Sequence, residues 1–222
     1  MPGSPDQTIT GLLLMVVAFA LAWIPFVDIV GGILALVGLI YLWNGRRELG
    51  PAHSGEVKVG VLLLVVAIVV GIAGAIVFAA ATFSFNVTLN GTQPMVTHPP
   101  VSLALEAAVA VILTVAAALG AACLVKLPYS LADPTARKLL LVGGALEVAF
   151  AALYSVSEVQ ALAAVESVFG TGASPGSLPS PLLVGLLLGV PDLVFLVAYS
   201  RVRKRLLDSD LPRAPAVTPL AR

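Results

Sequence analysis

Long apolar runs separated by short polar segments dominate the chain from residue 8 to residue 200. As helices, uncharged stretches of about 17–25 residues cross the roughly 30 Å hydrocarbon core of a bilayer. The fold class expected is therefore all-α, a polytopic membrane helical bundle of six transmembrane helices. The spans lie near residues 8–24, 28–43, 59–83, 101–125, 139–160 and 181–200.

The first two spans are interrupted only by the segment IPFVD at residues 24–28. A single straight helix from Thr8 to Trp43 would be about 54 Å long, which exceeds the bilayer core. Pro25 disfavours helix at the residue before it, and Asp28 is a suitable N-cap for a second helix. We therefore expect a hairpin. The alternative merges the two spans and gives five.

Charge and composition set the compartment and the orientation. The chain is 59% hydrophobic and 11% charged, with mean hydropathy +1.05, which is far too apolar for a soluble domain. All twelve Lys and Arg fall between spans two and three, between spans four and five, or after span six. Because such residues stay cytoplasmic, we expect a multi-pass protein of the cell membrane with both termini in the cytoplasm.

This interpretation divides the chain into a transmembrane helical domain, residues 1–205, and a disordered cytoplasmic tail, residues 206–222. The expected partners are the lipid bilayer and anionic headgroups. Headgroups would meet the basic cluster that precedes the tail, which comprises Arg201, Arg203, Lys204 and Arg205. The net charge of zero gives no reason to expect nucleic acid.

Small residues recur every fourth position in span three, at Ala67, Gly71, Ala75 and Ala79, and again in span six at Gly185 and Gly189. Such stripes allow close helix contact in lipid. We expect seams between helices of one chain, and a homo-oligomer interface is the alternative.

The loop at 84–100 carries two N-x-Thr sequons, at Asn86 and Asn90, on the side expected to be external. An exposed loop across the membrane is where N-glycosylation takes place. The alternative is that both asparagines are unmodified polar turn residues.

The segment GGILALVGLIYLWNGRRELGPAHSGEVKVGVLLLVV resembles a stretch in archaeal multi-pass membrane proteins of unknown function. In those proteins a hydrophobic hairpin leads to a Gly-Arg pair, then a Gly and a His. Here the matching positions are Gly45, Arg46, Gly50 and His53. The resemblance covers the first third of the chain and implies an archaeal cell membrane, without implying an activity.

No enzymatic machinery is recognisable, so we expect no catalytic residues, no cofactor and no metal site. The letters GASPG at 172–176 match G-x-S-x-G, but that motif needs a strand-to-helix turn and a histidine partner. His53 and His98 are expected on opposite sides of the membrane, each as a polar loop residue. The single cysteine, Cys123, is read as a small core residue.

Acidic residues within the spans are the feature that calls for a functional explanation. Asp28 and Glu106 fall at outer span ends and form a candidate acidic rim. Glu147 and Asp192 each lie nine residues, or about 13 Å, from the inner anchors Lys138 and Arg201. Both are therefore expected near the midplane. Residues of this kind face protein or a water-filled cavity.

Glu147, Tyr154 and Glu158 lie on one face of span five and form a polar stripe. With Asp192 they are the candidate proton- or cation-binding residues. Spans five and six are antiparallel neighbours, so Glu147 and Asp192 are expected to interact directly or through one water, and to share a proton.

Two functions follow from these residues. The first is a non-catalytic structural or interaction role, in which the acids bond helices together. The second is a small proton- or cation-coupled transporter that uses Glu147 and Asp192. An intramembrane aspartyl protease ranks low, because the GVPD sequence at Asp192 lacks the G-x-G-D pattern of that class.

Overall fold

Six helices account for most of the chain in the computed structural model, which describes residues 5–22, 24, 27–82, 86–90, 93–97, 103–171 and 181–208. In chain order the helices are α1 Pro5–Leu21, α2 Asp28–Gly45, α3 Pro51–Thr82, α4 Leu103–Lys126, α5 Pro134–Thr171 and α6 Pro181–Leu207. A 3-10 turn at Tyr129–Leu131 connects α4 to α5. Most of the tail predicted to be disordered, residues 209–222, lies outside the described residues.

The predicted hairpin at the start of the chain is present, so the five-span alternative is wrong. Helix α1 ends at Leu21 and α2 begins at Asp28. The prediction that Asp28 is the N-cap of α2 is wrong, because Val27 occupies that position and makes no side-chain capping bond. At 17 and 18 residues, the two helices are about 26 and 27 Å long, close to the thickness of the bilayer core.

Helices α3 and α5 begin before the predicted span boundaries. Helix α3 starts at Pro51, after Gly50 in the left-handed region at φ +94°, and α5 starts at Pro134. Proline suits the first helical position, where its missing N–H would be unpaired in any case. Loss of apolar character marks the edge of the membrane, and a helix continues past that edge into polar surroundings.

The segment predicted to be a polar loop at 84–100 contains a short antiparallel hairpin. Strand β1, Asn86–Asn90, pairs with β2, Gln93–Thr97, with Val87 opposite Val96. The alternation NVTLN followed by Gly91 is a hairpin signal that the sequence already carries. The two sequon asparagines begin and end β1, and their glycosylation stays a prediction.

The helices are arranged in a curved row in which α2 packs on α1, α1 on α6, α6 on α5, α5 on α4 and α4 on α3. Helices α2 and α3, at the two ends of this row, barely touch each other. The bundle is therefore a ring that stays partly open between α2 and α3.

The tightest seam joins α1 to α2 through glycines spaced seven residues apart, Gly31, Gly38 and Gly45. A Cβ at Gly38 would lie 2.9 Å from the carbonyl oxygen of Gly11, and a Cβ at Gly31 would lie 3.0 Å from that of Ala18. These distances require glycine, because a backbone carbonyl cannot move aside as a flexible side chain can.

The seam between α3 and α4 differs from the predicted four-residue stripe. Ala67 is buried, and a Cβ at Gly71 would make ordinary contact with Ala116. Ala75 is exposed, however, and the neighbouring Gly74 packs instead, against Ile112. The stripe thus drifts round the helix, because two neighbouring straight helices stay in contact along a seven-residue repeat more closely than along a four-residue one.

Within the described residues, three helices are long and apolar enough to cross a membrane: Pro51–Val77, Ala107–Leu131 and Pro134–Ser155. Only 17% of the most apolar window of each is buried within the protein. Large aliphatic side chains point outward, including Leu62 and Ile76 on α3 at 63% exposure. Such surfaces suit contact with lipid, and in water they would be an aggregation hazard.

We predict that Gly38→Ala destabilises the α1 and α2 hairpin although alanine is the better helix former. The propensity gain is about 1 kcal/mol, and overpacking against the Gly11 carbonyl costs about 1–3 kcal/mol. Gly32→Ala, in the same helix, is the matched control, since its Cβ would meet nothing within 4 Å. Thermal unfolding in detergent should rank the Gly38 variant lowest. Equal melting temperatures for the two variants would contradict the close seam.

Candidate functional site

Helices α5 and α6 run antiparallel and cross closely at Gly143. Arg201, near the end of α6, pairs with Asp133 at the start of α5, with 3.2 Å between Nη2 and Oδ2. A Cβ at Gly143 would lie 3.3 Å from atoms of the fully buried Phe195 ring. Glu147 follows Gly143 by one turn of α5, and Asp192 precedes Phe195 by about one turn of α6. The crossing therefore sets Glu147 and Asp192 opposite each other.

These two residues lie at one level of neighbouring helices, and the direct or water-mediated contact of their carboxyl groups stays a prediction. Both residues are partly buried, and Glu147 lies within electrostatic range of Asp192. Pro191, beside Asp192, is buried inside α6. A proline inside a helix removes one backbone hydrogen bond, which leaves a carbonyl one turn earlier without its usual donor.

Aromatic contacts fix the helix that carries Asp192. The ring of Phe195 stacks on Phe19 of α1, with centroids 5.6 Å apart, and Tyr199 meets Phe19 edge-on at 5.2 Å. The Tyr199 hydroxyl donates to the carbonyl oxygen of Leu124 on α4, at 2.7 Å. Its tie to α4 has no sequence signal.

A cavity of about 250 Å³ lies inside the ring of helices, on the side where α2 and α3 fail to close it. Five helices contribute to its wall, and Glu147 reaches it from α5. Most of the wall is aliphatic or glycine, with Met15, Gly32, Leu39, Leu64, Gly120 and Leu127 among its residues. Within the described part of the chain, Glu147 is its only acidic or basic residue.

Two glycines leave this cavity open. A Cβ built at Gly32 on α2 or at Gly120 on α4 would meet nothing within 4 Å. Both residues line the cavity, so a larger side chain at either position would extend into empty space. Neither glycine was among the site residues predicted from the sequence, because a gap between helices leaves no pattern in one sequence.

The other predicted site residues are less informative. Tyr154 is 40% exposed on α5 and does not line the described cavity. Glu158 lies in α5, but its side chain is outside the described residues. The same holds for the side chains of Asp28, Glu106, Asn86 and Asn90.

At one end of the bundle, polar contacts join α3 to the connection between α4 and α5. The backbone N–H of Ser130 donates to Oε2 of Glu56 at 2.6 Å, and the Ser130 hydroxyl lies 3.4 Å from Nδ1 of His53. His53 is fully buried, and its Nε2 has no hydrogen-bond partner among the described residues. The sequence predicted a polar loop residue here, which is wrong: α3 begins early enough to bury His53 under the next connection.

Three further residues of the segment GRRELGPAH acquire structural roles. Gly45 lies against Thr8 in the α1 and α2 seam, and Gly50 takes the positive φ that precedes α3. The Arg46 guanidinium lies 3.7 Å from the centre of the Trp43 ring and donates to the Trp43 carbonyl oxygen. Close packing, a turn and a cation–π contact therefore account for the Gly-Arg and Gly positions in this chain.

Asp133 organises the same end of the bundle. Its Oδ1 accepts the backbone N–H of Ala136 at 2.6 Å, which caps α5, and Oδ2 pairs with Arg201. The capping bond, followed by Arg201, holds the pKa of Asp133 below its usual range. Arg205 donates to the Leu131 carbonyl oxygen at 3.2 Å. With Lys204 and Asp208, these groups surround a surface cleft of about 400 Å³.

No protein-family model, curated protein or solved structure matches this chain.

We predict that Asp133→Ala lowers the free energy of unfolding by about 0.5–2 kcal/mol, the usual cost of losing an N-cap. Asp133→Asn is the matched control, because asparagine still caps but cannot form the ion pair. The folded pKa is lowered, so the ionised group stabilises the fold above the unfolded pKa of about 3.9 and loses that effect as pH falls through the folded value. The difference between wild type and Asp133→Asn in thermal unfolding should therefore be present at pH 7 and shrink in acid. A difference that grows in acid would contradict this assignment.

Proposed function

We propose that this chain is a six-span integral membrane protein, with both termini in the cytoplasm, that acts as a small proton- or cation-coupled transporter. The observation that carries the proposal is the position of Glu147, which lines a cavity and lies in electrostatic range of Asp192 on the neighbouring helix. Ionisable residues placed in this way inside a membrane are expensive to maintain and mark ion or proton pathways.

The proposed orientation is supported by the clustering of basic residues at one end of the bundle. Glu56 and His53 tie the start of α3 to the α4 and α5 connection, and Arg201 ties the end of α6 to Asp133. Gly45, at the end of α2, packs against Thr8, so the start of α1 lies at this end of the bundle as well. Since Lys and Arg near span ends remain cytoplasmic, this end is the proposed inner face.

Cysteine labelling tests the orientation, in a Cys123→Ala background that removes the native thiol. Gln93→Cys and Gly176→Cys should react with an impermeant thiol reagent added outside intact cells, and Ala52→Cys and Thr135→Cys should not. Ala52 and Thr135 are exposed, so they should react once the cells are permeabilised. The reverse pattern would overturn the orientation.

The transport role is supported by the open ring and by the carboxyl group that lines its cavity. A cavity of about 250 Å³ holds several water molecules at roughly 30 Å³ each, so a hydrated proton or a small cation has room beside Glu147. Two carboxyl groups in electrostatic range also hold one proton at lower cost than two separate charges. A site that exchanges a proton for another cation needs both properties.

The structural role is the second candidate, favoured by the close crossing of α5 and α6 at Gly143. A proton shared between Glu147 and Asp192 would bond the two helices there. Hydrogen bonds of this kind between membrane helices contribute about 0.6 kcal/mol on average. In this case the carboxyl groups would affect stability and leave permeability unchanged.

Proton flux into proteoliposomes separates the two roles. With a potassium diffusion potential and an entrapped pH dye, the wild-type protein should admit protons faster than protein-free vesicles. Glu147→Gln and Asp192→Asn should each reduce that rate at least tenfold. Asp208→Asn, at the exposed end of α6, is the control and should keep the wild-type rate. Wild-type flux equal to that of empty vesicles, with lower melting temperatures for the two midplane variants, would reject transport in favour of the structural role.

A further inference from the structure

The cavity beside Glu147 combines an apolar wall with one fixed acidic group. Aliphatic side chains such as Leu39, Leu64 and Leu127 form most of the wall, and Glu147 is its only acidic or basic residue in the described part of the chain. Small-molecule sites share this composition, because apolar surface supplies affinity and a few polar groups fix orientation.

The negative charge at this site has no partner within the transmembrane part of the sequence. Lys and Arg are absent before Arg46, between Lys58 and Lys126, and between Lys138 and Arg201. Asp192 adds a second carboxyl group in range of the first. When the pair holds one proton it keeps one negative charge, and a cation from outside the chain would neutralise that charge.

The size of the cavity limits what that cation can be. At about 250 Å³ it is smaller than the roughly 300–1,000 Å³ of sites for drug-sized ligands. It extends between α2 and α4, where Gly32 and Gly120 leave it open, and the ring of helices is incomplete on the side of α2 and α3. A ligand with an apolar body could therefore enter from the lipid.

We propose that this cavity binds a small lipophilic cation, with its positive group against the Glu147 carboxylate and its apolar body among the aliphatic side chains of α2, α3 and α4. This inference rests on the proposed function, for which it supplies a substrate class. An acyl chain of a lipid would satisfy the apolar wall and leave the carboxylate unpaired, so the charge favours the cation.

Binding can be measured on the full-length protein in nanodiscs with carbon-13 labelled methionine methyl groups. Met15 lines the cavity, and Met1 and Met95, the other two methionines, give reference signals. The probe is benzyltrimethylammonium, and neopentylbenzene is its uncharged analogue of the same shape. Titration with the cation should shift the Met15 signal saturably, and the neutral analogue should require at least a tenfold higher concentration.

Substitutions then assign the charge and the space separately. Glu147→Gln should weaken binding of the cation at least tenfold and leave the response to neopentylbenzene unchanged. Gly120→Leu and Gly32→Leu, on different helices, should each abolish the Met15 shift by filling the cavity. Gly55→Leu is the matched control. Its Cβ would also meet nothing within 4 Å, but Gly55 lies near the start of α3 and does not line the cavity, so binding should persist.

Equal affinity for the charged and neutral probes, or unchanged cation binding in Glu147→Gln, would overturn the proposal and indicate a cavity for lipid chains. No saturable shift in the wild-type protein would also overturn it. Glu147-dependent proton flux without probe binding would reject this substrate class and leave the transport proposal standing. Probe binding without proton flux would reject the transport proposal and leave the cation-binding site standing.

Discussion

Close backbone contact between helices is the constraint on which this architecture depends. In lipid, apolar side chains gain little by leaving their surroundings for another helix, so association depends on packing and on hydrogen bonds between helices. The seam of α1 and α2 meets this requirement with glycines at 31, 38 and 45, and the α5 and α6 crossing meets it with Gly143 against Phe195. Where such contact is missing, between α2 and α3, the ring stays open.

That opening gives Glu147 and Asp192 a different setting from the one a closed bundle would provide. In a fully packed core, Glu147 would have only Asp192 as a polar neighbour. In the incomplete ring it also lines a cavity of about 250 Å³. Phe195 and Tyr199 pack against α1 and α4, and these contacts fix the helix that carries Asp192. Glu147, in contrast, borders the open cavity.

The end of the bundle that holds the α4 and α5 connection is built on other interactions. Here Asp133 caps α5 and pairs with Arg201, while Glu56 binds the Ser130 N–H and His53 lies buried under the same connection. The ion pair of Arg201 and Asp133 at this end stays partly exposed. These contacts link α3, the α4 and α5 connection, and α6 in a part of the chain that has no long apolar run.

The sequence by itself determined the number of helices, their approximate positions and the likeness of the chain to a membrane protein, because each depends on local composition over about twenty residues. It also indicated that Glu147 and Asp192 lie at similar depth. Hydropathy alone did not predict the hairpin at 86–97, whose signal lies in the alternation NVTLN. It also missed the burial of His53 and the early start of α3, since apolar content marks the end of a span and not the end of a helix. Only the tertiary structure decided that Gly74 packs in place of Ala75, that Tyr199 binds Leu124, and that Gly32 and Gly120 face an open cavity. Those features depend on which helix lies opposite each face, and residues far apart in one sequence carry no record of that pairing.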